Sequence, residues 1–342
     1  MTALIIALAL LAVLILVFAV ILFGRIKTMS RIRYIGGRLH TVDYCADYKL
    51  DKLLARGVKD VPGLMSFLSK EIYFGYPIKV NEQICGCTSL AAKSPDGKLL
   101  VGRNFDYPPT GMLLVYTKPK NAYASYSMVC LAHLDISSKA MLDSLMGKAM
   151  ILCAPFACVD GLNEKGLHVS VLELSTTPTA QDKGKPDIIT TVAVRMLLDK
   201  CATTTEAIEM LGQYDMFSSA GSPYHFFITD RQNNTVVVEW PDPEQEMVVL
   251  NLCYATNFQL AEGKDKGVGI GHDRYKIVAE TLEKSQGILT ENETMKLLEA
   301  AKVEFNNNWG TLWSIVYNVS DFSLKMCCDM EYDKVYEFSK NI

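Results

Sequence analysis

The pattern of short apolar strands separated by turn signals, from Thr88 to the C-terminus, constrains the fold of this chain more than any other feature. Residues 89–92 and 98–103 flank Pro95-Asp96-Gly97, which predicts a β-hairpin. Further strands are predicted at residues 167–174, 226–230, 235–240, 247–252, 312–317 and 322–327. Helical spacing predicts helices at residues 191–198, 206–211, 274–284 and 291–301. Antiparallel hairpins with helices inserted between them predict an α+β layered domain.

Composition excludes several classes of protein. The chain has 342 residues, a formal net charge of −4 and a hydrophobic fraction of 49%, which describes a globular protein without a basic surface for nucleic acid. Its ten cysteines are too few and too irregularly spaced for a disulfide scaffold or a structural zinc site. We therefore expect no nucleic-acid partner and no metal or organic cofactor, whereas the sequence does not indicate the oligomeric state.

The first 24 residues differ in character from the rest of the chain. Residues 2–24 carry no charge and are long enough to cross a hydrocarbon layer as a helix. The start lacks a basic residue and the end lacks a small-x-small motif, which favours an uncleaved single-pass membrane anchor over a cleaved signal sequence. Basic residues follow at once, and the positive-inside rule then favours a cytoplasmic catalytic domain. These residues are Arg25, Lys27, Arg31 and Arg33.

Residues 25–86 are predicted to form a short helical leader ahead of a catalytic domain at residues 87–342. Apolar residues recur at helical spacing in segments 47–57 and 64–72, before the helix breakers Gly75 and Pro77. Two short amphipathic helices are the simplest interpretation. Their apolar faces pack on the domain, cover a substrate pocket in the precursor, or join the membrane in delivering an acyl chain.

Cys87 lies at the junction between this leader and the first hairpin, which is an unusual place for a packing cysteine. Cleavage of the bond between Gly86 and Cys87 would give Cys87 a free α-amino group with an ordinary pKa of about 8. One residue would then supply both a nucleophilic thiol and its base. The returning strand of the hairpin can bring Arg103 and Asp106 beside residue 87, where Arg103 would lower the pKa of the thiol and Asp106 would accept a hydrogen bond from the amine.

Together with other motifs, this region resembles the choloylglycine hydrolase family of N-terminal nucleophile hydrolases, which includes bile salt hydrolases, penicillin V acylases and acid ceramidases. The resemblance covers residues 87 to the C-terminus and is carried by five segments in the family's order. They are Cys87-Thr88-Ser89, Gly102-Arg103-Asn104-Phe105-Asp106, Gly161-Leu162-Asn163-Glu164-Lys165-Gly166-Leu167, Tyr254-Ala255-Thr256-Asn257 and Asp273-Arg274.

The resemblance implies a four-layer αββα sandwich that hydrolyses linear, non-peptide amide bonds of small N-acyl substrates. Cys87 is implied as the nucleophile and its own α-amine as the base, with Arg103 and Asp106 positioning that terminus. Asn257 falls where the family places a side-chain amide in the oxyanion hole, and such a donor stabilises charge that develops only in the transition state. Arg274 matches an arginine near the family's site, although it also suits an ion pair with Asp273 or a surface carboxylate.

Glu173 departs from the pattern of bile salt hydrolases, which have Asn at this position, and is similar to the acid ceramidase branch. It follows apolar residues on one face of a predicted strand, so its carboxylate is either buried and paired or reaches into the site. We expect it in the site, with Arg103 or Arg274 as its partner.

Two alternatives stay open at this stage. A Cys/His protease of the papain type would draw its base from one of five histidines, none of which has a recognisable motif around it. These are His40, His133, His168, His225 and His272. The second alternative is a membrane-tethered binding module that has kept the fold and lost the chemistry. Cleavage before Cys87 and selective alkylation of its thiol distinguish the hydrolase from both.

Overall fold

Two β-sheets packed face to face form the centre of the molecule. The computed structural model describes residues 2–78, 85–264, 267–306 and 309–340; residues 79–84, which belong to the predicted leader, lie outside the described residues. Within the described ranges, helices cover the outer side of each sheet. The predicted α+β class is therefore confirmed.

The larger sheet, sheet A, contains nine strands within the described ranges. In spatial order, and numbered along the chain, they are β1 (Ile32–Gly36), β2 (Leu39–Tyr44), β5 (Met112–Thr117), β6 (Ser125–Cys130), β7 (Cys158–Asn163), β8 (His168–Glu173), β11 (Tyr224–Thr229), β12 (Thr235–Glu239) and β13 (Val248–Leu250). Neighbouring strands are antiparallel except β2 and β5, which are parallel. The predicted strands at residues 167–174, 226–230, 235–240 and 247–252 are present as β8, β11, β12 and β13.

The second sheet, sheet B, has six strands in the described part of the chain. In spatial order they are β14 (Tyr254–Ala255), β3 (Gly86–Lys93), β4 (Leu99–Tyr107), β15 (Gly310–Asn318), β16 (Ser323–Cys328) and β17 (Tyr336–Ser339). A separate parallel pair is formed by β9 (Asp187–Ile189) and β10 (Asp215–Phe217). The hairpin predicted around Pro95-Asp96-Gly97 is β3–β4, and its register places Cys87 opposite Phe105.

Helices complete the layers on both sides. They are α1 (Thr2–Ser30), α2 (Leu50–Arg56), α3 (Val61–Ile72), α4 (Lys139–Asp143), α5 (Leu145–Met150), α6 (Thr190–Lys200), α7 (Thr204–Leu211), α8 (His272–Lys284) and α9 (Glu291–Ala300). Helix α6 packs on β7 and β8, whereas α8 packs on β3 and α9 on β4 and β15. The order of layers is thus helix, sheet A, sheet B, helix. Thr290 and Glu293 form a capping box at the start of α9, which satisfies two backbone donors.

The alternation of side chains along β3 divides the core in two. Cys87 and Ser89 face sheet A, and the Ser89 hydroxyl lies 2.9 Å from that of Ser170 on β8. Thr88 and Leu90 face the other way, toward α8 and α9, where Leu90 packs in a second apolar cluster with Val278. Because successive residues of a strand point to opposite faces, the nucleophile candidate lies between the two sheets.

The predicted leader contributes more than helices. Helices α2 and α3 correspond to the two predicted segments, and Asp60 caps α3 by accepting the Gly63 N–H at 2.6 Å. The leader also supplies β1 and β2, which extend sheet A. Tyr48 is buried and donates its hydroxyl to Asp199 of α6 at 2.6 Å. This part of the leader is therefore packed into the domain.

The predicted boundary at Gly24 is not a structural break, because α1 continues to Ser30. The end of this helix lies within the predicted leader and packs on a later part of it. The buried Thr28 hydroxyl accepts the backbone N–H groups of Cys45 and Ala46 at 2.8 and 3.0 Å. In the part of the chain that the structure describes, no helix is both long and apolar enough to cross a membrane. The anchor predicted for residues 1–24 therefore has no support from the structure.

Candidate active site

Cys87, the second residue of β3, is fully buried between the sheets in the uncleaved chain. Its backbone N–H donates to Asn257 Oδ1 at 2.6 Å, and its thiol donates to the Val171 carbonyl at 3.7 Å. The thiol also contacts the Cys85 thiol, and this hydrogen bond together with burial raises the pKa of Cys85 well above its ordinary value. The nitrogen that cleavage would release is thus already held by a side chain of the predicted site.

Arg274, in the first turn of α8, joins most of the predicted residues. Its Nη1 donates to the Cys87 carbonyl at 2.7 Å, to Thr88 Oγ1 at 2.8 Å and to Asp106 Oδ2 at 3.1 Å. Its Nη2 donates to Asn257 Oδ1 at 3.0 Å. The carboxylate that pairs with Arg274 is the buried Asp106, so the alternative of a pair with Asp273 or a surface carboxylate is wrong. A guanidinium suits this position because it presents several donors in fixed directions.

Asn257 follows β14 and makes three hydrogen bonds. Oδ1 accepts from Cys87 N and Arg274 Nη2, while Nδ2 donates to the Glu173 carbonyl at 2.9 Å. The two acceptor contacts and the one donor contact fix which end of the amide is the nitrogen. The amide nitrogen is therefore directed at the end of β8. The carbonyl that accepts from the Cys87 thiol, that of Val171, lies two residues earlier on the same strand.

Asp106 is fully buried near the end of β4, opposite Gly86 in the hairpin register. Its Oδ1 accepts the Thr311 hydroxyl at 2.6 Å. Burial raises the pKa of this carboxyl above its ordinary value, although Arg274 opposes the shift. A side chain at position 86 would bring its Cβ to 2.8 Å from Asp106 Oδ2 and closer still to the Trp309 ring, so glycine there allows the carboxylate to approach the Gly86–Cys87 bond.

Arg103 is held by a partner that the sequence analysis did not identify. It is fully buried on β4 and donates through Nε to Asp160 Oδ2 on β7 at 3.3 Å and through Nη2 to the Val171 carbonyl at 2.8 Å. Burial alone would lower the pKa of Arg103, but the adjacent Cys87 thiol and Asp160 raise it. Asp160 is the one charged residue of β7, the strand that also contains Gly161-Leu162-Asn163, and this could have identified it. No local pattern marks Thr88 or Thr311.

The expectation that Glu173 pairs with Arg103 or Arg274 is wrong. Its carboxylate accepts the backbone N–H of Cys85 at 2.5 Å and is also bonded by Ser222. Both arginines donate to other acceptors. The Glu173 carboxylate, at the end of β8, instead binds the leader through Cys85. Glu173 thus contacts the residue that lies two positions before Cys87.

A pH measurement tests this contact. Burial raises the pKa of Glu173 above its ordinary value of 4.5, so the folded chain binds this proton more tightly than the unfolded chain. The resulting contribution to stability is complete below the ordinary pKa and is lost as pH rises through the folded pKa. Glu173→Gln keeps an oxygen for Cys85 N–H and removes the titration. Its stability relative to wild type should therefore rise between about pH 4 and pH 7 in urea unfolding.

Glu209→Gln, at an exposed position of α7, is the control for this measurement. Its stability difference from wild type should stay constant over the same range. A Glu173→Gln difference that is equally flat would contradict the pKa shift assigned to Glu173.

A small apolar cavity of about 20 Å³ adjoins the junction. It is lined by Cys85 and Val171, which both contact Cys87, and by Ala157, Val159 and Tyr224 among others. The six predicted site residues are each at most 6% exposed, so the Cys87 thiol is shielded from solvent in the uncleaved chain.

The arrangement is not that of a Cys/His pair. Within the described residues, none of the hydrogen bonds of Cys87 involves a histidine. His133 lines the apolar cavity, but burial lowers its pKa to about 4. The described residues also contain no group of three His, Cys, Asp or Glu side chains placed to hold a metal ion.

Comparison with known proteins places this site in a family. The model of the linear amide C–N hydrolases, choloylglycine hydrolase family, matches residues 87–258, about half of the chain. The crystal structure of a mutant conjugated bile acid hydrolase from Clostridium perfringens is 16% identical, with a TM-score of 0.54 over 74% of this chain and 92% of that chain, and therefore shares the fold.

Two other solved structures are more distant. A penicillin V acylase from Agrobacterium tumefaciens has 13% identity and a TM-score of 0.44, covering 71% of this chain and 83% of that chain. A Caenorhabditis elegans ortholog of N-acylethanolamine-hydrolyzing acid amidase has 18% identity and a TM-score of 0.45, covering 68% and 93%. The match of the family model over residues 87–258 shows that this chain belongs to the choloylglycine hydrolase family of linear amide C–N hydrolases.

Proposed function

We propose that this protein cleaves itself before Cys87 and then hydrolyses the linear amide bond of small N-acyl substrates with the Cys87 thiol. The observation that carries the proposal is the convergence of Arg274 and Asn257 on the backbone of Cys87. A cysteine whose own nitrogen and carbonyl are held by site residues suits a mechanism in which its α-amine is the base.

In the proposed reaction, the α-amine of the freed Cys87 takes the thiol proton, and the thiolate attacks the amide carbonyl carbon. Asn257 Nδ2 donates to the developing oxyanion, and the α-ammonium group protonates the leaving amine as the C–N bond breaks. Water, deprotonated by the α-amine, then hydrolyses the thioester on Cys87 and releases the acid. The sum is one amide and one water giving one carboxylic acid and one amine.

Two features support an apolar acyl group. The cavity beside Cys85 has a predominantly apolar surface, and its lining includes Val171, whose carbonyl accepts from the Cys87 thiol. Such a cavity favours an acyl chain by excluding water from apolar surface. In the uncleaved chain its volume is only about 20 Å³. We infer that displacement of Cys85 after cleavage enlarges this cavity to take the acyl group.

We also infer that the rest of the leader stays on the domain. Strands β1 and β2 belong to sheet A, Tyr48 donates to Asp199, and the Tyr44 hydroxyl donates to the Leu152 carbonyl at 2.9 Å. None of these contacts needs the bond between Gly86 and Cys87. Location at a membrane, and the side on which the domain would lie, stay predictions of the sequence.

The test is a substrate screen with the protein after cleavage. We expect equimolar release of acid and amine from at least one class among bile-acid amides, penicillin V, N-acyl amino acids and N-acylethanolamines, detected by liquid chromatography and mass spectrometry. Prior alkylation of Cys87 with iodoacetamide should prevent it. A protein that carries a free Cys87 amine and hydrolyses none of these compounds would favour the binding module instead.

A further inference from the structure

A buried histidine and glutamate lie directly behind the segment that carries Asn257. His225 on β11 and Glu239 at the end of β12 are both fully buried, with His225 Nδ1 2.9 Å from Glu239 Oε1. Neither touches Cys87, and the sequence analysis assigned His225 no role beyond that of one histidine among five. Polar side chains this deep need a complete set of hydrogen-bond partners.

The partners of this pair determine its protonation state. His225 Nε2 lies 2.8 Å from the Thr256 carbonyl oxygen, which can only accept, so this nitrogen carries a proton. Glu239 Oε1 accepts the Leu260 N–H at 2.9 Å and Oε2 accepts the Ala261 N–H at 3.0 Å. Both oxygens of Glu239 face backbone donors, which favours the ionised carboxylate with His225 Nδ1 as a further donor. The geometry therefore favours an imidazolium ion paired with a carboxylate.

The charges around the pair are consistent with this assignment. Burial alone would raise the pKa of Glu239, but His225 and the two backbone donors lower it below its ordinary value. The strand register places Leu172 of β8 beside His225, with Glu173 one position further along. Among the described residues, the carboxylate that contacts the imidazole is thus that of Glu239. Such charge-assisted hydrogen bonds are about twice as strong as neutral ones.

The pair holds the chain on both sides of Asn257. His225 binds the carbonyl of Thr256, the residue before it, and Glu239 binds the N–H groups of Leu260 and Ala261, which follow it. The segment between these anchors lies beyond the end of β14 at Ala255, and its other backbone contact at Asn257 is a 3.3 Å hydrogen bond from the Ile270 N–H. The backbone that directs the Asn257 amide is therefore fixed from behind.

We propose that His225 and Glu239 form a buried imidazolium–carboxylate pair that positions Asn257 for self-cleavage and amide hydrolysis. These are positioning residues rather than catalytic ones, because they act through the Thr256 carbonyl and the Leu260 and Ala261 amides. The positioning role rests on the proposed function of Asn257. The charge state of the pair does not.

The first experiment measures the charge state directly. The full chain, labelled with nitrogen-15 at histidine, is examined by long-range proton–nitrogen correlation spectra at about pH 7.5, where a free imidazole with an ordinary pKa of about 6.5 is mostly neutral. We expect both nitrogens of His225 to be protonated, with the signals assigned by their loss in His225→Gln. A single protonated nitrogen in the wild-type protein would overturn the proposal, and this result does not depend on activity.

The second experiment tests positioning with Glu239→Gln, which retains one acceptor oxygen but presents an NH2 group to a backbone donor. Because a small displacement of a reacting group is costly, we expect the rate of cleavage before Cys87 to fall about 10- to 100-fold. Hydrogen exchange at the Leu260 and Ala261 amides should become faster. Asp230→Asn is the matched control: this fully buried carboxylate lies at the turn of the same hairpin and binds Thr204 and Asn234 instead.

Each outcome decides a separate claim. Wild-type cleavage and unchanged amide exchange in Glu239→Gln would overturn the positioning role and leave the proposed function standing. If the wild-type chain never cleaves, the proposed function fails, and the spectra and amide exchange still decide whether the charged pair exists and holds the segment. If Glu239→Gln does not fold, the wild-type spectrum still decides the charge state. The cleavage rate and amide exchange of His225→Gln then decide the positioning role.

Discussion

Replacing Cys87 with Ala is expected to leave a folded, uncleaved chain that hydrolyses no N-acyl amide. The substitution removes one buried sulfur atom, whose loss costs about 1 kcal/mol of stability, so the fold should persist. It also removes the group that attacks both the Gly86 carbonyl and the substrate. Cys87→Ser should lose most turnover, because a hydroxyl is far less acidic than a thiol. The readouts are intact mass and acid release.

Cys85→Ala is the control for this substitution. Cys85 is buried, its thiol contacts that of Cys87, and its backbone N–H would still donate to Glu173. We expect this variant to cleave and to hydrolyse amides at rates similar to wild type. Substantial turnover by Cys87→Ala, or equal losses in the two variants, would contradict the assignment of Cys87 as the nucleophile.

Replacing Arg274 with Gln is expected to reduce both stability and chemistry strongly. Asp106 would lose its cation and stay fully buried, and breaking such a pair costs about 3–5 kcal/mol. Without Arg274 the pKa of Asp106 should rise further, since burial already raises it. Cys87 and Asn257 would also lose their common donor. We expect the cleavage rate per folded molecule to fall about 100-fold or more, measured at a temperature where the variant is folded.

Arg195→Gln separates the loss of stability from the loss of chemistry. Arg195 is likewise fully buried and pairs with a carboxylate, Asp199, at 2.7 Å, but it does not contact Cys87, Asn257 or Asp106. We expect a comparable loss of stability with a cleavage rate per folded molecule close to that of wild type. Equal rates in the Arg274 and Arg195 variants would show that Arg274 acts through stability alone.

The catalytic hairpin could be predicted because its signals are local. A turn sequence fixes the β3–β4 register, and the period of two then places Cys87 and Arg103 on the face toward sheet A. Residues far apart in the chain, such as Asn257 and Arg274, were placed only through the family resemblance. No pattern in their own segments indicates that they meet at Cys87.

Other features depend on partners that the sequence does not reveal. β2 contains polar residues at His40, Thr41 and Asp43, so its sequence shows only a weak apolar pattern. This strand forms because it pairs with β5. β5 itself begins with the continuous apolar run Met112–Tyr116, which periodicity cannot distinguish from a buried helix. The partner of Glu173 is a backbone N–H, and such a contact has no signature in side-chain type.

The same limitation applies to His225. Its environment becomes informative only when β12 supplies Glu239 and the segment after β14 supplies a carbonyl oxygen. In the sequence these three groups are separated by ordinary strand residues. A histidine with two acceptors is therefore a property of the tertiary structure, and its charge follows from that geometry rather than from its neighbours along the chain.

The most direct test of the central claim is intact-mass spectrometry of the purified full-length protein under denaturing and native conditions, with N-terminal sequencing of its fragments. We expect a fragment that begins at Cys87 under denaturing conditions, absent from Cys87→Ala, and a native mass equal to that fragment plus the leader. A wild-type chain that stays whole at neutral and acidic pH would contradict the claim that Cys87 becomes an N-terminal nucleophile.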